Sequence, residues 1–181
     1  MPISLCIAGC GGYARQVLGE LQPRPEGLKL YFASRDPKKA ERFTEEFGGA
    51  GHFGSYEDAV ASSEVDAVYS MTPHHVHVEN ALLASLHSKH IMMEKPIART
   101  LDESRKIIAA ARDAGVKLMV AENYRFLATV ERSKAIIARG DIRGAQADPG
   151  RAGIPSTPNR MAGERRAQGW RHPDRRWNSL H

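Results

Sequence analysis

Cysteine and long apolar runs are scarce in this sequence. Only two cysteines, Cys6 and Cys10, occur in its 181 residues, too few for a disulfide framework, and this favours a reducing compartment. No stretch approaches the roughly 18 consecutive apolar residues of a membrane span, and the first residues lack the basic region of a secretory signal. We therefore expect a cytoplasmic protein with no membrane partner.

The last part of the sequence, residues 140–181, lacks lysine, valine and phenylalanine. It contains four prolines, six glycines and only three large aliphatic residues. Such a segment cannot bury enough apolar surface to order itself, so residues 143–181 are predicted to form a disordered tail. An alternative interpretation is a shifted reading frame after about Gly140, which the nucleotide sequence from that codon onward would test.

The net charge of +5 arises from the same segment. Residues 140–181 contain eight arginines against four acidic residues, whereas residues 1–139 contain 18 basic and 17 acidic residues. An arginine-rich segment can bind phosphates. This one has no recognisable reading module, so nucleic acid is not the partner that the sequence favours.

Apolar runs alternate with segments of helical spacing in the first two thirds of the chain. Strands are predicted at Ile3–Ala8, Leu28–Ala33, His52–Phe53, Val65–Met71, His90–Met93 and Val116–Ala121. Helices are predicted after Ala14, from Asp36–Pro37 to Phe47, from Ser55 to Ser62, and at His77–Leu86, Leu101–Ala114 and Leu127–Arg139. This alternation indicates an α/β Rossmann fold, a doubly wound parallel sheet with helices on both faces. Residues 1–121 would form it, and residues 122–142 would connect it to the C-terminal part of the chain.

A glycine-rich turn follows the first strand and fits the pattern G-x-G-x-x-A. The first glycine permits a tight turn, the second lets the backbone approach a pyrophosphate, and the small last residue lets helix and strand pack closely. The N-terminus of the next helix adds partial positive charge for phosphates. The predicted cofactor contacts in this turn are Gly9, Gly11, Gly12, Tyr13 and Ala14.

The end of the second strand, Ser34-Arg35-Asp36, bears on the choice of cofactor. NAD-binding domains place an acidic residue about 20 positions beyond the glycine motif, where it bonds the ribose 2′-hydroxyl. A serine followed by an arginine suits a 2′-phosphate, because a guanidinium pairs with phosphate and a carboxylate would repel it. The sequence therefore predicts NADP(H) in preference to NAD(H), with Ser34 and Arg35 as contacts. The alternative is that Arg35 is simply solvated and Asp36 only caps its helix.

Three histidines lie within four residues of the segment Met71–His77, which follows the fourth strand. No cysteine or further histidine lies at a spacing that would complete a zinc site, so no metal is predicted. Loops after the carboxyl ends of parallel strands bind ligands. Thr72, Pro73, His74 and His77 are therefore expected to line a cofactor cleft.

The fifth strand is followed by Glu94-Lys95-Pro96. A lysine at the carboxyl edge of the sheet, near a nicotinamide, could hydrogen-bond a substrate oxygen and transfer a proton as hydride moves. Pro96 restricts the backbone and is compatible with a cis peptide bond at Lys95–Pro96. The alternative interpretation is an ordinary surface turn.

Taken together, these motifs resemble the N-terminal domain of the Gfo/Idh/MocA oxidoreductases over about residues 1–142. The segments that carry the resemblance are Gly9–Ala14, Ala33–Asp36, Val65–Tyr69, Thr72–His77, Glu94–Pro96 and Ala121–Phe126. The resemblance implies an NAD(P)-dependent enzyme that oxidises or reduces a sugar, polyol, diol or related carbonyl compound. The NADP-using dihydrodiol and sugar dehydrogenases are the most similar in these motifs.

The resemblance also implies roles for individual residues. Lys95 would be the active-site lysine, and Thr72, His77 and Glu94 would lie against the cofactor. Asn123 and Arg125 would face the cleft.

Members of this family continue into a second domain with an open sheet that forms the substrate wall, and this sequence shows no such pattern. One expectation is an oxidoreductase acting on a carbohydrate-like small molecule, and the alternative is a truncated, non-catalytic dinucleotide-binding fragment. Apolar surface left exposed where the second domain would pack predicts self-association. The substrate itself cannot be inferred from fold resemblance.

Overall fold

The computed structural model describes residues 2–140, in which strands and helices alternate. The strands are β1 (Ile3–Ala8), β2 (Leu28–Ala33), β3 (Gly51–Phe53), β4 (Ala67–Ser70), β5 (His90–Met93) and β6 (Leu118–Val120). The helices are α1 (Gly12–Glu20), α2 (Pro37–Phe47), α3 (Tyr56–Ala61), α4 (His77–Leu86), α5 (Leu101–Asp113) and α6 (Ala128–Ala138). The chain divides into two units after Glu131, and the first contains the whole sheet. The predicted tail, 143–181, lies outside the described residues.

All six strands pair in parallel, in the order β3-β2-β1-β4-β5-β6. In chain order, β2 and β3 are added on one side of β1, and β4, β5 and β6 are then added on the other side. This reversal is the switch point at which doubly wound sheets bind their ligands, beyond the carboxyl ends of the strands. The predicted Rossmann fold is confirmed.

Apolar residues on both faces of the sheet hold the unit together, since successive side chains of a strand point to opposite faces. One core joins β1, β2 and β4 to α1 and α2, and its buried members include Ile7, Leu18, Leu30, Phe32 and Phe43. The other joins the sheet to α3, α4 and α5, and its buried members include Cys6, Val60, Val68, Ala81, Ile91 and Ile107.

Side-chain caps begin several of the helices. The Asp36 carboxylate accepts the Lys38 N–H at 3.1 Å at the start of α2, and the Ser55 hydroxyl accepts the Asp58 N–H at 3.0 Å before α3. Aspartate and serine are both among the residues preferred at this position. Helix α1 differs, because Gly11 precedes it and no side chain caps its N-terminus. The first N–H groups of α1 are therefore not bonded by a capping side chain.

Two strands are shorter than the apolar runs that predict them. The run from Val65 pairs in the sheet only from Ala67, since the Val65 N–H donates to Ser62 within the preceding turn. The run from Val116 pairs only from Leu118, because the Val116 N–H closes the end of α5. In both cases the first N–H of the apolar run is hydrogen-bonded within the preceding turn and is not available to the sheet.

Several large apolar side chains of the first unit are exposed, among them Leu86, Leu101, Tyr124 and Phe126. Self-association through such surface stays a prediction. Within residues 2–140, no helix has both the length and the apolar character needed to cross a bilayer.

Candidate functional site

The register of the sheet places the last residue of every strand in one row. Across the sheet, this row consists of Phe53, Ala33, Ala8, Ser70, Met93 and Val120. The next residues continue the ladder, since Gly9, Met71 and Ala121 donate to Ala33, Ala8 and Met93 at 2.8–2.9 Å. The loops that carry the predicted motifs therefore leave the sheet side by side.

Gly9 is required by the backbone at the centre of this edge. Its φ is +109°, and a Cβ there would lie 2.8 Å from the carbonyl oxygen of Met71 and 3.2 Å from Cγ2 of Thr72. Both the left-handed backbone and this close approach favour glycine. The turn into α1 is consequently pressed against the loop that follows β4.

The start of α1 is open to a ligand. A Cβ added at Gly11 or Gly12 would meet nothing within 4 Å, and the helix lacks a side-chain cap. Ala14 is buried in the core against the sheet, and Tyr13 is half-exposed. Uncapped N–H groups with space in front of them form a site for a phosphate, so the residues present fit a pyrophosphate.

A groove of about 580 Å³ lies beside this turn. The predicted cofactor residues among its walls are Gly9, Gly11, Ser34, Arg35, Thr72 and Pro73. The structure thus brings three of the predicted motifs around one space.

Five further residues that line the groove were not predicted as site residues: Cys10, Asp36, Lys39, Tyr56 and Met71. Lys39 carries a recognisable signal, a cation one turn into the helix that follows the Ser-Arg strand end. Burial raises the pKa of the Cys10 thiol to about 11, although Lys39 opposes the shift, so this thiol is not an activated nucleophile at neutral pH.

Ser34, Arg35 and Asp36 follow β2, and their side chains differ in charge and in hydrogen-bond partners. The buried Ser34 hydroxyl accepts the Asp36 N–H at 3.1 Å. The Asp36 carboxylate is occupied by the cap of α2, as the alternative interpretation of that residue held. Arg35 is exposed and reaches Tyr56. Burial raises the pKa of Tyr56, and the Arg35 guanidinium opposes that shift. All three residues line the groove, and Arg35 is the cation among them.

A buried polar cluster fixes the loop after β4. The hydroxyls of Ser70 and Thr72 lie 2.9 Å apart, and the Asn80 amide donates to them at 3.0 and 2.9 Å. All three side chains are buried. Thr72 is thereby held in one rotamer at the wall of the groove, and neither Ser70 nor Asn80 was singled out from the sequence.

His77 is fully buried beneath two loops. Its Nε2 lies 2.9 Å from the carbonyl oxygen of Thr72, and its Nδ1 lies 3.1 and 3.3 Å from those of Pro96 and Ile97. The ring therefore ties the loop after β4 to the loop after β5. Its predicted contact with a cofactor stays a prediction, as does that of the exposed His74.

No group of three histidine, cysteine or acidic side chains within residues 2–140 is arranged to hold a metal ion.

Glu94 is a buried carboxylate with a donor at each oxygen. Oε1 accepts from the Tyr69 hydroxyl, and Oε2 accepts from the Lys95 N–H at 3.1 Å. Burial and this bond raise the pKa of Tyr69, and burial together with Glu94 raises the pKa of Tyr13 on the glycine turn. Glu94 thus joins β4, β5 and the start of α1.

Lys95 is exposed beside this carboxylate, at the carboxyl edge of the sheet. The Lys95–Pro96 peptide bond is cis, as the sequence allowed. Asn123 and Arg125 belong to a short 3-10 turn, Asn123–Phe126, that follows β6. Both are exposed, and their predicted contact with the cleft stays a prediction.

The comparison with known families agrees with this geometry. The Gfo/Idh/MocA family model, described as an oxidoreductase family with an NAD-binding Rossmann fold, matches residues 3–122. The chain belongs to this family. This match confirms the family resemblance that the motifs indicate. It also confirms that the Rossmann domain is of the NAD(P)-binding type.

Individual relatives are sugar and diol dehydrogenases. A D-xylose 1-dehydrogenase (NADP(+)) of Haloferax volcanii is 36% identical over 106 residues, which cover 59% of this chain and 33% of the relative. A trans-1,2-dihydrobenzene-1,2-diol dehydrogenase of Sus scrofa is 33% identical over 135 residues, covering 73% of this chain and 40% of the relative.

Among solved structures, the WlbA dehydrogenase of Bordetella pertussis in complex with NADH and UDP-GlcNAcA superimposes with a TM-score of 0.70 at 25% identity. The match covers 77% of this chain and 40% of that one. The chain therefore spans well under half the length of these relatives, and their names include both NADP(+) and NADH.

Replacing His77 by leucine tests its role as the tie between two loops. Leucine would leave buried carbonyl oxygens unpaired, so we expect a loss of roughly 2–4 kcal/mol in the free energy of unfolding. Urea titration followed by circular dichroism measures it. The control is His75→Leu at an exposed neighbouring position, expected to change stability by less than about 0.5 kcal/mol. Equal effects of the two variants would show that the ring does not tie the loops.

Proposed function

We propose that this chain binds NADP(H) at the carboxyl edge of its sheet and supplies the dinucleotide-binding part of an oxidoreductase that transfers hydride to or from a sugar, polyol or diol. One observation carries the proposal: the uncapped start of α1, the cationic end of β2 and the Glu94-Lys95 loop leave the sheet side by side. These are the positions that a phosphate, a 2′-substituted ribose and a reacting centre require.

The pyrophosphate would lie against the start of α1. Space is open beside Gly11 and Gly12, and no side chain caps the helix, so the first amides, including that of Tyr13, would be available to the phosphates. The helix dipole favours a negative charge there. Gly9 would act indirectly, by letting the turn lie close to the loop after β4.

The preference for NADP(H) over NAD(H) rests on charge at the end of β2. Arg35 and Lys39 both line the groove, whereas the carboxylate of Asp36 is engaged at the cap of α2. The buried Ser34 replaces the acid that would repel a 2′-phosphate. A phosphate monoester would find two cations at this position and one carboxylate, Asp36, whose Oδ1 accepts the Lys38 N–H. The excess of positive charge favours NADP(H).

The nicotinamide end would lie toward the loops after β4 and β5. The cofactor supplies the hydride chemistry when it is bound. Thr72, Pro73 and Glu94 would line its path, and His74, His77, Asn123 and Arg125 retain their predicted contacts as part of this proposal.

Lys95 would hydrogen-bond the reacting oxygen of the substrate and hold or move its proton. The exposed ammonium suits this role, because it lies at the carboxyl edge beside a carboxylate that Tyr69 and the Lys95 N–H hold in place.

A second candidate function is dinucleotide binding without turnover. It is favoured by the groove itself, because its predicted walls suit dinucleotide binding and do not include Lys95. A carbohydrate-like substrate, cytoplasmic location, self-association and the absence of a nucleic-acid partner remain predictions in either case.

Ser34→Asp tests the cofactor preference. The added carboxylate would repel a 2′-phosphate, so affinity for NADP+ should fall about tenfold or more while affinity for NAD+ holds or rises. Isothermal titration calorimetry with both dinucleotides measures this. The control is Ser63→Asp, the same change at an exposed position between α3 and β4, which should alter neither affinity. A Ser34→Asp variant that keeps the wild-type preference would contradict the assignment to NADP(H).

Lys95→Met separates turnover from binding. The chain is mixed with NADP+ and a panel of sugars, polyols and trans-diols, and reduced nicotinamide is followed by absorbance. We expect the wild-type chain to reduce NADP+ and the variant to do so at least about 100-fold more slowly, with its affinity for NADP+ unchanged. The reason is that general acid–base groups contribute a factor of about 10²–10⁴ to the rate. Binding by the wild-type chain without reduction would favour the second candidate. Reduction at the same rate by the variant would show that Lys95 is not the proton-transfer group.

A further inference from the structure

A second pocket, of about 420 Å³, lies on the side of the glycine turn that faces α1 and α2. It shares Cys10, Gly11 and Lys39 with the 580 Å³ groove. The two spaces therefore adjoin at the turn and at the first part of α2. We call this second space the α1–α2 pocket.

Three cationic side chains, Arg15, Lys39 and Arg42, line the α1–α2 pocket, and no acidic side chain does. Arg15 is partly neutralised, because it forms an ion pair with Glu46 and its guanidinium carbon lies 4.9 Å from the Phe43 ring centroid.

Lys39 and Arg42 have no ion-pair partner within residues 2–140. Since they are three positions apart on α2, they share one face of that helix. The pocket consequently carries two positive charges that form no ion pair with a carboxylate of the described residues.

The amide end of α1 adds to this field. Gly11 and Gly12 line the same pocket, and the uncapped N-terminus of α1 contributes partial positive charge. The pyrophosphate uses this N-terminus in the proposed function, so the two cations remain for a second anion. They fit a doubly charged group such as a phosphate monoester, which carries about −1.5 to −2 charges at neutral pH. A ribose hydroxyl would leave these charges unpaired.

We infer that the 2′-phosphate of NADP(H) lies at Lys39, where the groove meets the α1–α2 pocket, and that Arg42 is a specificity-determining residue for that phosphate. The inference rests on the proposed function, that the chain binds NADP(H), and deepens it. Lys39 lies at the junction of groove and pocket, so it would contact the phosphate from the side of the ribose. Arg42, one turn further along α2, would contact it from within the pocket. Arg35 lines the groove but not this pocket.

Arg42→Gln tests the inference in the full 181-residue chain. Isothermal titration calorimetry at one fixed ionic strength compares four probes: NADP+, NAD+, 2′,5′-ADP and 5′-AMP. Loss of a charge-assisted contact should weaken NADP+ and 2′,5′-ADP about tenfold or more, and leave NAD+ and 5′-AMP within about twofold. Arg42→Lys keeps the charge but loses the planar fork, so it should retain part of the affinity for the two phosphorylated probes.

Arg105→Gln is the matched control. Arg105 is an exposed arginine on α5 that pairs with Asp102 and lines neither space, so its loss should leave all four affinities unchanged. Because Arg42 is exposed on α2, its variants should keep the wild-type thermal midpoint by circular dichroism.

The outcomes separate the inference from the proposed function. Tight NADP+ binding that Arg42→Gln leaves unchanged would overturn the inference while the proposed function stands. An equal loss for NADP+ and NAD+ would also overturn it, since Arg42 would then act on the common part of the dinucleotide. Failure of the wild-type chain to bind either dinucleotide would overturn both.

Discussion

The site depends on one constraint, the in-register parallel pairing of β1 with both β2 and β4. This pairing brings Ala33, Ala8 and Ser70 into one row, so the loops after these strands must leave the sheet together. At the centre the space is so small that the backbone of Met71 approaches the α-carbon of Gly9, where a Cβ would lie 2.8 Å from the carbonyl oxygen. The cationic end of β2, the uncapped start of α1 and the Thr72 loop are neighbours as a result.

Most of the fold could be predicted from the sequence, because its strands are short apolar runs and its helices begin at recognisable caps. The bounds of β1, β2 and β5 agree with the apolar runs, whereas β4 and β6 are shorter because turn hydrogen bonds use the first amides. Side-chain partners were harder to predict. The Tyr69–Glu94 bond and the burial of His77 join residues 19 to 25 positions apart, and such contacts depend on how neighbouring strands and loops approach one another.

The distribution of charge connects the fold to the proposed chemistry. Asp36 is used within the structure as a helix cap, and Glu94 is held by Tyr69 and the Lys95 N–H. Arg35, Lys39 and Arg42 are instead directed to the two adjoining spaces beside the glycine turn. The carboxylates near the edge therefore position backbone and loops, while the cations remain available to an anionic ligand. This division is what a protein that binds a phosphorylated dinucleotide requires.

The most direct test of the account is a backbone amide NMR titration of the chain with NADP+, since it reports where the dinucleotide lies. We predict that the largest shift changes occur at Gly11, Gly12 and Tyr13, with further changes at Ser34 and Thr72. The amino ends of the strands, such as Ser4 in β1, should be unaffected. Changes concentrated at those amino ends, or none at the glycine turn at saturating NADP+, would contradict the placement of the cofactor at the carboxyl edge of the sheet.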